Sequence, residues 1–288
     1  MSTSPLPTTN GAVQRHLVAG ARYELIPLKN VDAQIAHLPP GCSVSITCSP
    51  AKGLGATLEL TSKVLDAGHV AVPHFSARLT EDRAHVRRLA EYCRSHGLTE
   101  VFLVAGDAPE PVGAYDGVVA FLRDFLDADH GLARIGVTAY PDGHALIDPT
   151  VVHEALHMKQ ALLAEAGIAG FASTQMCFDV AQWRRWAIAE RAAGFALPLH
   201  LGVPGVIDRA KLLTMGARLG IGSSMRFVKK NSGTIFKLFS PTGYDPTKIV
   251  GPMSKAAREL GIEGLHLFTF NNVEATAAWQ RTQLARLG

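Results

Sequence analysis

Short apolar runs alternate with longer amphipathic segments along most of the chain. Eight of these runs have the length of strands and are nearly continuously apolar, which is typical of parallel strands buried on both faces. They cover residues 22–28, 42–50, 69–77, 100–107, 134–141, 170–179, 198–205 and 264–270.

The segments between the runs carry apolar residues at helical spacing. Thr80 is predicted to cap the start of one of these helices, Gly97 to end it, and Asp179 to cap another. The predicted helices cover residues 54–68, 80–97, 115–128, 151–167, 180–194, 208–220, 245–261 and 273–288.

Eight strands that alternate with helices indicate an α/β fold, and we predict a single (β/α)8 TIM barrel over residues 21–288. An open doubly wound sheet would require a GxGxxG turn after its first strand. The nearest candidate, KGLGAT at 52–57, follows the second strand and lacks the third glycine in register. Residues 1–20 are predicted to form a flexible tail, and residues 221–246 an irregular insert.

Composition narrows the class of protein further. The chain of 288 residues is 47% hydrophobic, and its net charge of +3 does not suggest a nucleic-acid-binding protein. It has no apolar run long enough for a membrane span, and its first residues lack the pattern of a signal peptide, so we expect none. None of its four cysteines forms a CxxC pair, so we predict a reduced, cytoplasmic protein without a zinc ribbon.

The active site of a TIM barrel lies at the carboxyl ends of its strands. A carboxylate buried among apolar neighbours has a raised pKa that suits a general acid, and Glu24 is in such a position. Asp107 could instead cap its own loop, and His74 and His144 could be core histidines. The polar residues at or near strand ends include Glu24, Thr47, His74, Asp107, Tyr140, His144, Gln175 and Thr269.

The segment HEALH at 153–157 places two histidines four residues apart and resembles the HExxH zinc motif. The segment is expected in the middle of a helix on the outside of the barrel, and no third ligand is evident. We therefore predict no metal site. The chain also lacks a GxSxG elbow, which argues against a serine nucleophile.

Seven motifs, in order, resemble the methylenetetrahydrofolate reductase family: RYELIPLK, SVSITCSP, VPHFSARLT, VFLVAGDAPE, VTAYPDGH, STQMCFD and GLHLFTFNN. The resemblance implies that methylenetetrahydrofolate is the substrate, that Glu24 and Asp107 are catalytic, and that Gln175, Phe227 and Thr269 bind the substrate. It also places residues of the cofactor site, and these are Thr47, His74, Gly106, Tyr140 and His144.

Most of the family passes hydride from a nicotinamide to bound FAD and then to folate. The family's arginine before Gly106 is Ala105 here, Lys159 is the only base where the family has a basic pair, and Asn272 replaces a further arginine. FAD carries a diphosphate that needs such cations. The hypothesis is therefore direct hydride transfer from NADH or NADPH, with FAD typical of the family but doubtful here.

Three other functions remain open from the residues alone. These are the FAD-dependent version of the same reductase, a folate methyl-transfer or demethylase barrel, and a folate- or flavin-binding protein without catalysis. An aldolase-type barrel would need a central lysine on a strand, and none of the predicted strands has one. The oligomeric state is left open.

Overall fold

Eight parallel strands close into a barrel in the computed structural model, which describes residues 6–208, 210–212, 214, 239–240 and 243–288. The strands neighbour one another in the order β1-β10-β7-β6-β5-β4-β3-β2, so the predicted TIM barrel is confirmed. The barrel strands are β1 (Arg22–Leu25), β2 (Ser43–Ile46), β3 (Val70–Ser76), β4 (Glu100–Val104), β5 (Arg134–Ala139), β6 (Ala169–Thr174), β7 (Leu199–Pro204) and β10 (Ile262–Phe268). Between β7 and β10, β8 (Phe239–Ser240) and β9 (Gly243–Tyr244) form a short antiparallel pair.

Helices surround the barrel, and none of those described is long and apolar enough to cross a membrane. A short 3-10 turn, Ala77–Leu79, follows β3. The described α-helices are α1 (Asn10–Ala19), α2 (Val31–Ile35), α3 (Gly53–Asp66), α4 (Arg83–Ser95), α5 (Val118–Leu126), α6 (Pro149–Glu165), α7 (Val180–Ala192), α8 (Thr247–Lys255), α9 (Ala257–Leu260) and α10 (Val273–Arg286).

Helix caps agree with the sequence at one position and differ at another. The Asp179 carboxylate accepts the backbone N–H groups of residues 181 and 182, as predicted for the start of α7. Helix α4 is capped by Asp82, whose carboxylate accepts the N–H of His85, so the prediction of Thr80 was wrong. Thr80 is instead buried, and its hydroxyl donates to the Ser76 carbonyl.

The flexible tail predicted for residues 1–20 is replaced by an ordered helix over much of its length. Helix α1 buries Val13, Leu17 and Val18 against the barrel. The Gln280 side chain on α10 fixes the end of α1, since it donates to the Val18 carbonyl at 2.7 Å and accepts the Tyr23 hydroxyl at 2.8 Å. This buried amide connects α1, β1 and α10, so the packed fold begins before residue 21.

The amino-terminal half of the barrel interior is filled by charged and aromatic side chains. Arg22 pairs with Glu100 and Arg134 with Glu263, and the two guanidinium groups lie 4.9 and 4.8 Å from the Phe171 ring centre. A Cβ on Gly136 would lie 2.3 Å from Phe171, so only glycine leaves room for this ring. This packed floor confines any ligand to the carboxyl ends of the strands.

Candidate active site

A cavity of about 320 Å³ lies at the carboxyl ends of the barrel strands. The predicted strands were too long at this end, so several polar residues expected within strands lie in the loops that follow them. Seven of the ten predicted site residues line the cavity: Glu24, Thr47, His74, Gly106, Asp107, Tyr140 and Gln175.

Glu24 occupies the third position of β1 and is only 6% exposed. Its carboxyl oxygen Oε2 lies 3.0 Å from His266 Nε2. Burial raises the pKa of Glu24 to about 7, an effect that the nearby His74 partly opposes. The side chain is therefore a carboxylic acid that can give up a proton near neutral pH.

Two buried histidines complete the surroundings of this acid. Burial lowers the pKa values of His74 and His266 to about 3, so both rings are neutral at neutral pH. His74 Nε2 lies 2.6 Å from the Ser45 hydroxyl. One ligand atom from each of Glu24, His74 and His266 lies within 4.8 Å of the others, a spacing that a metal ion could also bridge. The raised pKa of Glu24 suits acid chemistry here.

The backbone around Glu24 is held by the loop that follows β10. The Asn271 amide accepts the Ile26 N–H at 2.9 Å and donates to the Ile26 carbonyl at 2.8 Å. Phe270 and Asn271 both have a positive φ, which is strained for residues other than glycine. The hydroxyl of Thr269 donates to the Glu24 carbonyl.

The structure places Thr269 differently from a substrate-binding residue. Its side chain is fully buried and does not line the cavity. Its hydroxyl oxygen also accepts the Asn271 N–H at 3.1 Å. These bonds tie Thr269 to the backbone of Glu24 and of the loop that follows β10.

Asp107 lies just beyond β4, on a loop that is tightly fixed. Gly106 has a φ of +92°, and a Cβ there would lie 2.0 Å from the Ser76 Oγ. Arg78 Nε donates to the Ala108 carbonyl at 2.6 Å. Within the described part of the chain, no donor is bonded to the Asp107 carboxylate, which gives no support to a loop-capping role. The exposed carboxylate is free to face a ligand in the cavity.

Four further predicted residues are Tyr140, His144, Gln175 and Phe227. Tyr140 lines the cavity, and His144 packs edge-on against its ring at 5.2 Å but does not line the cavity itself. Gln175 Oε1 accepts the Met176 N–H at 2.9 Å, and its amide N–H groups have no bonded partner among the described residues. Phe227 lies outside the described residues.

Positive charge is scarce among the described residues at the cavity. No described residue that lines it is Lys or Arg. Lys159, the remaining base of the family's pair, is 3% exposed, and its ammonium donates to the Thr138 carbonyl at 2.8 Å. Burial lowers the pKa of Lys159 to about 7. The Lys159 charge is thus directed at the barrel wall.

His266 is the residue that the sequence analysis missed. It lies in the middle of β10, two residues before Phe268, and both residues line the cavity. Side chains alternate across a strand, so Gly264, His266 and Phe268 share the inner face. Extending the period of two inward from the strand end would have identified His266.

Solved structures share the fold. A protein from Clostridium thermocellum, described as binding two copies of 5-methyl-5,6,7,8-tetrahydrofolic acid, matches with a TM-score of 0.61 and 13% identity over 95% of this chain and 99% of its own. A putative phosphonomutase from Burkholderia cenocepacia J2315 matches with a TM-score of 0.50 and 10% identity over 97% of this chain and 98% of its own. At these identities the likeness establishes the barrel fold alone.

A family model gives the more specific result. The model for methylenetetrahydrofolate reductase matches residues 33–222, which is well over half of the chain. The matched region runs from α2 past β7 and includes the predicted site residues from Thr47 to Gln175. The chain belongs to the methylenetetrahydrofolate reductase family.

Proposed function

We propose that this protein reduces 5,10-methylenetetrahydrofolate to 5-methyltetrahydrofolate, with hydride passed directly from NADH or NADPH rather than through bound FAD. The observation that carries the proposal is the buried Glu24, with a pKa of about 7, in the same cavity as Asp107, whose carboxylate has no bonded partner among the described residues. Family membership supplies the substrate class. The Clostridium thermocellum barrel, whose described ligand is the product of this reaction, supports a pterin as the ligand of such a cavity.

The reaction requires a proton before it requires hydride. When the five-membered ring of the substrate opens, the bond between the methylene carbon and the ten-position nitrogen breaks, and its electron pair stays on that nitrogen. Glu24 donates the proton that this nitrogen takes up, either directly or through water. The methylene carbon becomes part of an iminium cation at the five-position nitrogen.

The iminium cation gives the carboxylate of Asp107, at the mouth of the cavity, a role in the reaction. Asp107 stabilises the positive charge that develops on the pterin, because it lies on a fixed loop and lines the same cavity as Glu24. Gln175 orients the pterin through its amide N–H groups, which have no bonded partner among the described residues. Reduced nicotinamide supplies the hydride that adds to the iminium carbon, and the cavity brings the two rings together.

The charges of the described residues around the cavity support direct transfer. A FAD that stays bound needs cations or a helix N-terminus at its diphosphate, whereas the described lining has no Lys or Arg and Lys159 bonds to the barrel wall. NADH and NADPH carry a diphosphate too, but as cosubstrates they bind only for each turnover and need less affinity than a resident flavin. These described residues do not fit the FAD diphosphate. Asp107 also follows Ala105 and Gly106 rather than the family's arginine.

The test is oxidation of NADH or NADPH by flavin-stripped protein with methylenetetrahydrofolate, followed by the absorbance of the reduced nicotinamide. Glu24→Gln should reduce turnover by about 10²-fold or more while folate affinity is kept. Glu154→Gln, which changes an exposed carboxylate on α6, is the matched control and should behave as wild type.

Three outcomes distinguish the alternatives. Substrate-dependent oxidation without flavin supports the proposal. Activity only after FAD is added keeps the reductase and refutes direct transfer. Folate binding without oxidation under either condition refutes the reductase and favours methyl transfer or simple binding.

The pH dependence gives a further test of Glu24 as the acid. Because the acid must be protonated, turnover should be highest below pH 7 and fall about tenfold per pH unit above it. Wild-type turnover that stays flat from pH 6 to pH 9, while the chemical step limits the rate, would contradict this role.

A further inference from the structure

A second group of ligand-type side chains lies on the outer helices and lines no part of the cavity. His153 and His157 are four residues apart on α6, so they share one face of the helix. Their rings lie 4.5 Å apart between centres. This pair is the HEALH segment, for which the sequence offered no third ligand.

Helix α7 supplies the missing ligand. His153 Nδ1 lies 3.0 Å from Glu190 Oε2, and His157 Nε2 lies 2.9 Å from the same oxygen. One ligand atom from each of the three residues lies within 4.8 Å of the others. In a tetrahedral zinc site with bonds of about 2.0–2.1 Å, neighbouring ligand atoms are about 3.3 Å apart. The two distances from Glu190 Oε2 to the histidine nitrogens are slightly shorter than that spacing.

A cation would also stabilise the buried carboxylate of Glu190. Its side chain is only 9% exposed, and among the described residues its ion pairs involve only the two histidines. No described Lys or Arg pairs with it. A buried carboxylate without a permanent cation nearby is costly, and a divalent ion would compensate its charge. The His153 side chain is 46% exposed, which gives an ion a route from solvent.

We propose that His153, His157 and Glu190 form a binding site for a divalent transition metal of the zinc type, which joins α6 to α7. Two imidazole nitrogens and one carboxylate oxygen are ligands that suit Zn²⁺ or Co²⁺, and water completes the fourth position. Because none of the three residues lines the cavity, the site is independent of the reaction proposed above, and its ion links the two helices.

The experiment adds Co²⁺, and separately Zn²⁺, to metal-free full-length protein. Co²⁺ should give the visible absorption of a tetrahedral ion with nitrogen and oxygen ligands, saturating at one ion per chain and reversed by Zn²⁺. Zn²⁺ at about 100 times its Kd should raise the Tm by about 5 °C.

Variants assign the signal to this cluster. His153→Ala and Glu190→Gln should each weaken Co²⁺ binding by at least tenfold and abolish the rise in Tm. His37→Ala removes an exposed histidine elsewhere, and Glu154→Gln changes the carboxylate next to His153, so both should bind as wild type. The exposed position of His153 makes its replacement tolerable for folding, which circular dichroism would verify.

Two results would overturn the proposal. One is the absence of a tetrahedral Co²⁺ spectrum in wild-type protein, which would mean that the cluster is held by protons alone. The other is a spectrum that survives in both His153→Ala and Glu190→Gln, which would place the ion at another set of ligands. Reductase activity that is unchanged by zinc removal would agree with a purely structural site.

Discussion

Replacement of Glu24 by glutamine should raise the stability of the protein relative to wild type as the pH becomes alkaline, and should lower turnover by about 10²-fold or more. The pKa of this carboxyl rises from its ordinary value of 4.5 to about 7 in the folded state because the side chain is buried. The folded state therefore binds the Glu24 proton more tightly than the unfolded state does. Its contribution to stability is fully present below pH 4.5 and is lost as the pH rises through 7.

The magnitude follows from the two pKa values. Each pH unit between them changes the free energy of unfolding by about 1.4 kcal/mol, so the whole interval is worth about 3 kcal/mol. Between pH 5 and pH 8 the loss is about 2.5 kcal/mol, since the unfolded carboxyl is already largely ionised at pH 5. A glutamine has no such proton, so Glu24→Gln removes this pH dependence.

Urea unfolding of both proteins at pH 5 and pH 8 measures the effect. The stability of Glu24→Gln relative to wild type should increase by about 2.5 kcal/mol from the lower to the higher pH. The comparison cancels the titration of every group that the two proteins share and that does not interact with Glu24. A relative stability that is independent of pH, or that falls at pH 8, would mean that Glu24 is ionised in the folded protein. Its assignment as the acid would then be wrong.

Two further predictions concern the loops that hold the site. Gly106→Ala should destabilise the protein by about 1–3 kcal/mol more than Gly143→Ala. Both glycines have a positive φ, but only an alanine at position 106 would clash with Ser76. Equal losses of stability in urea unfolding would show that the loop moves aside. Asn271→Ala should cost about 2–3 kcal/mol through its two lost backbone hydrogen bonds and should also lower turnover. Asn30→Ala, at a helix start without a side-chain cap bond, should change neither quantity appreciably, and equal effects would contradict the positioning role.

The barrel could be predicted from the sequence because parallel strands covered by helices are apolar on both faces. Each of the eight predicted strands was found, and the errors lie at their ends, where polar loop residues continue an apolar run. Helix α1 was missed for a different reason. Its buried face contains only Val13, Leu17 and Val18, and its attachment depends on Gln280, far along the chain.

Site residues at the ends of strands could be predicted from the sequence. Contacts between residues on opposite sides of the barrel or on neighbouring helices could not. Glu24 and Asp107 could be identified from local sequence, but the pairing of Glu24 with His266 spans 242 positions. Glu190 lies 33 positions beyond His157, on the next helix. Neither pairing leaves a periodic signal, because only closure of the barrel and packing of its outer helices bring the partners together.

Burial of Glu24 on β1 favours its role as an acid but lowers the stability of the fold. The burial that raises the pKa of Glu24 also removes its charged form from water, at a cost to stability above neutral pH. Bonds to the neighbouring backbone offset that cost: Thr269 holds the Glu24 carbonyl, and Asn271 holds both backbone groups of Ile26. The strained backbone of Asn271 is what presents its amide to Ile26. A loop that would otherwise relax is thus kept in the one conformation that holds the acid at the mouth of the barrel.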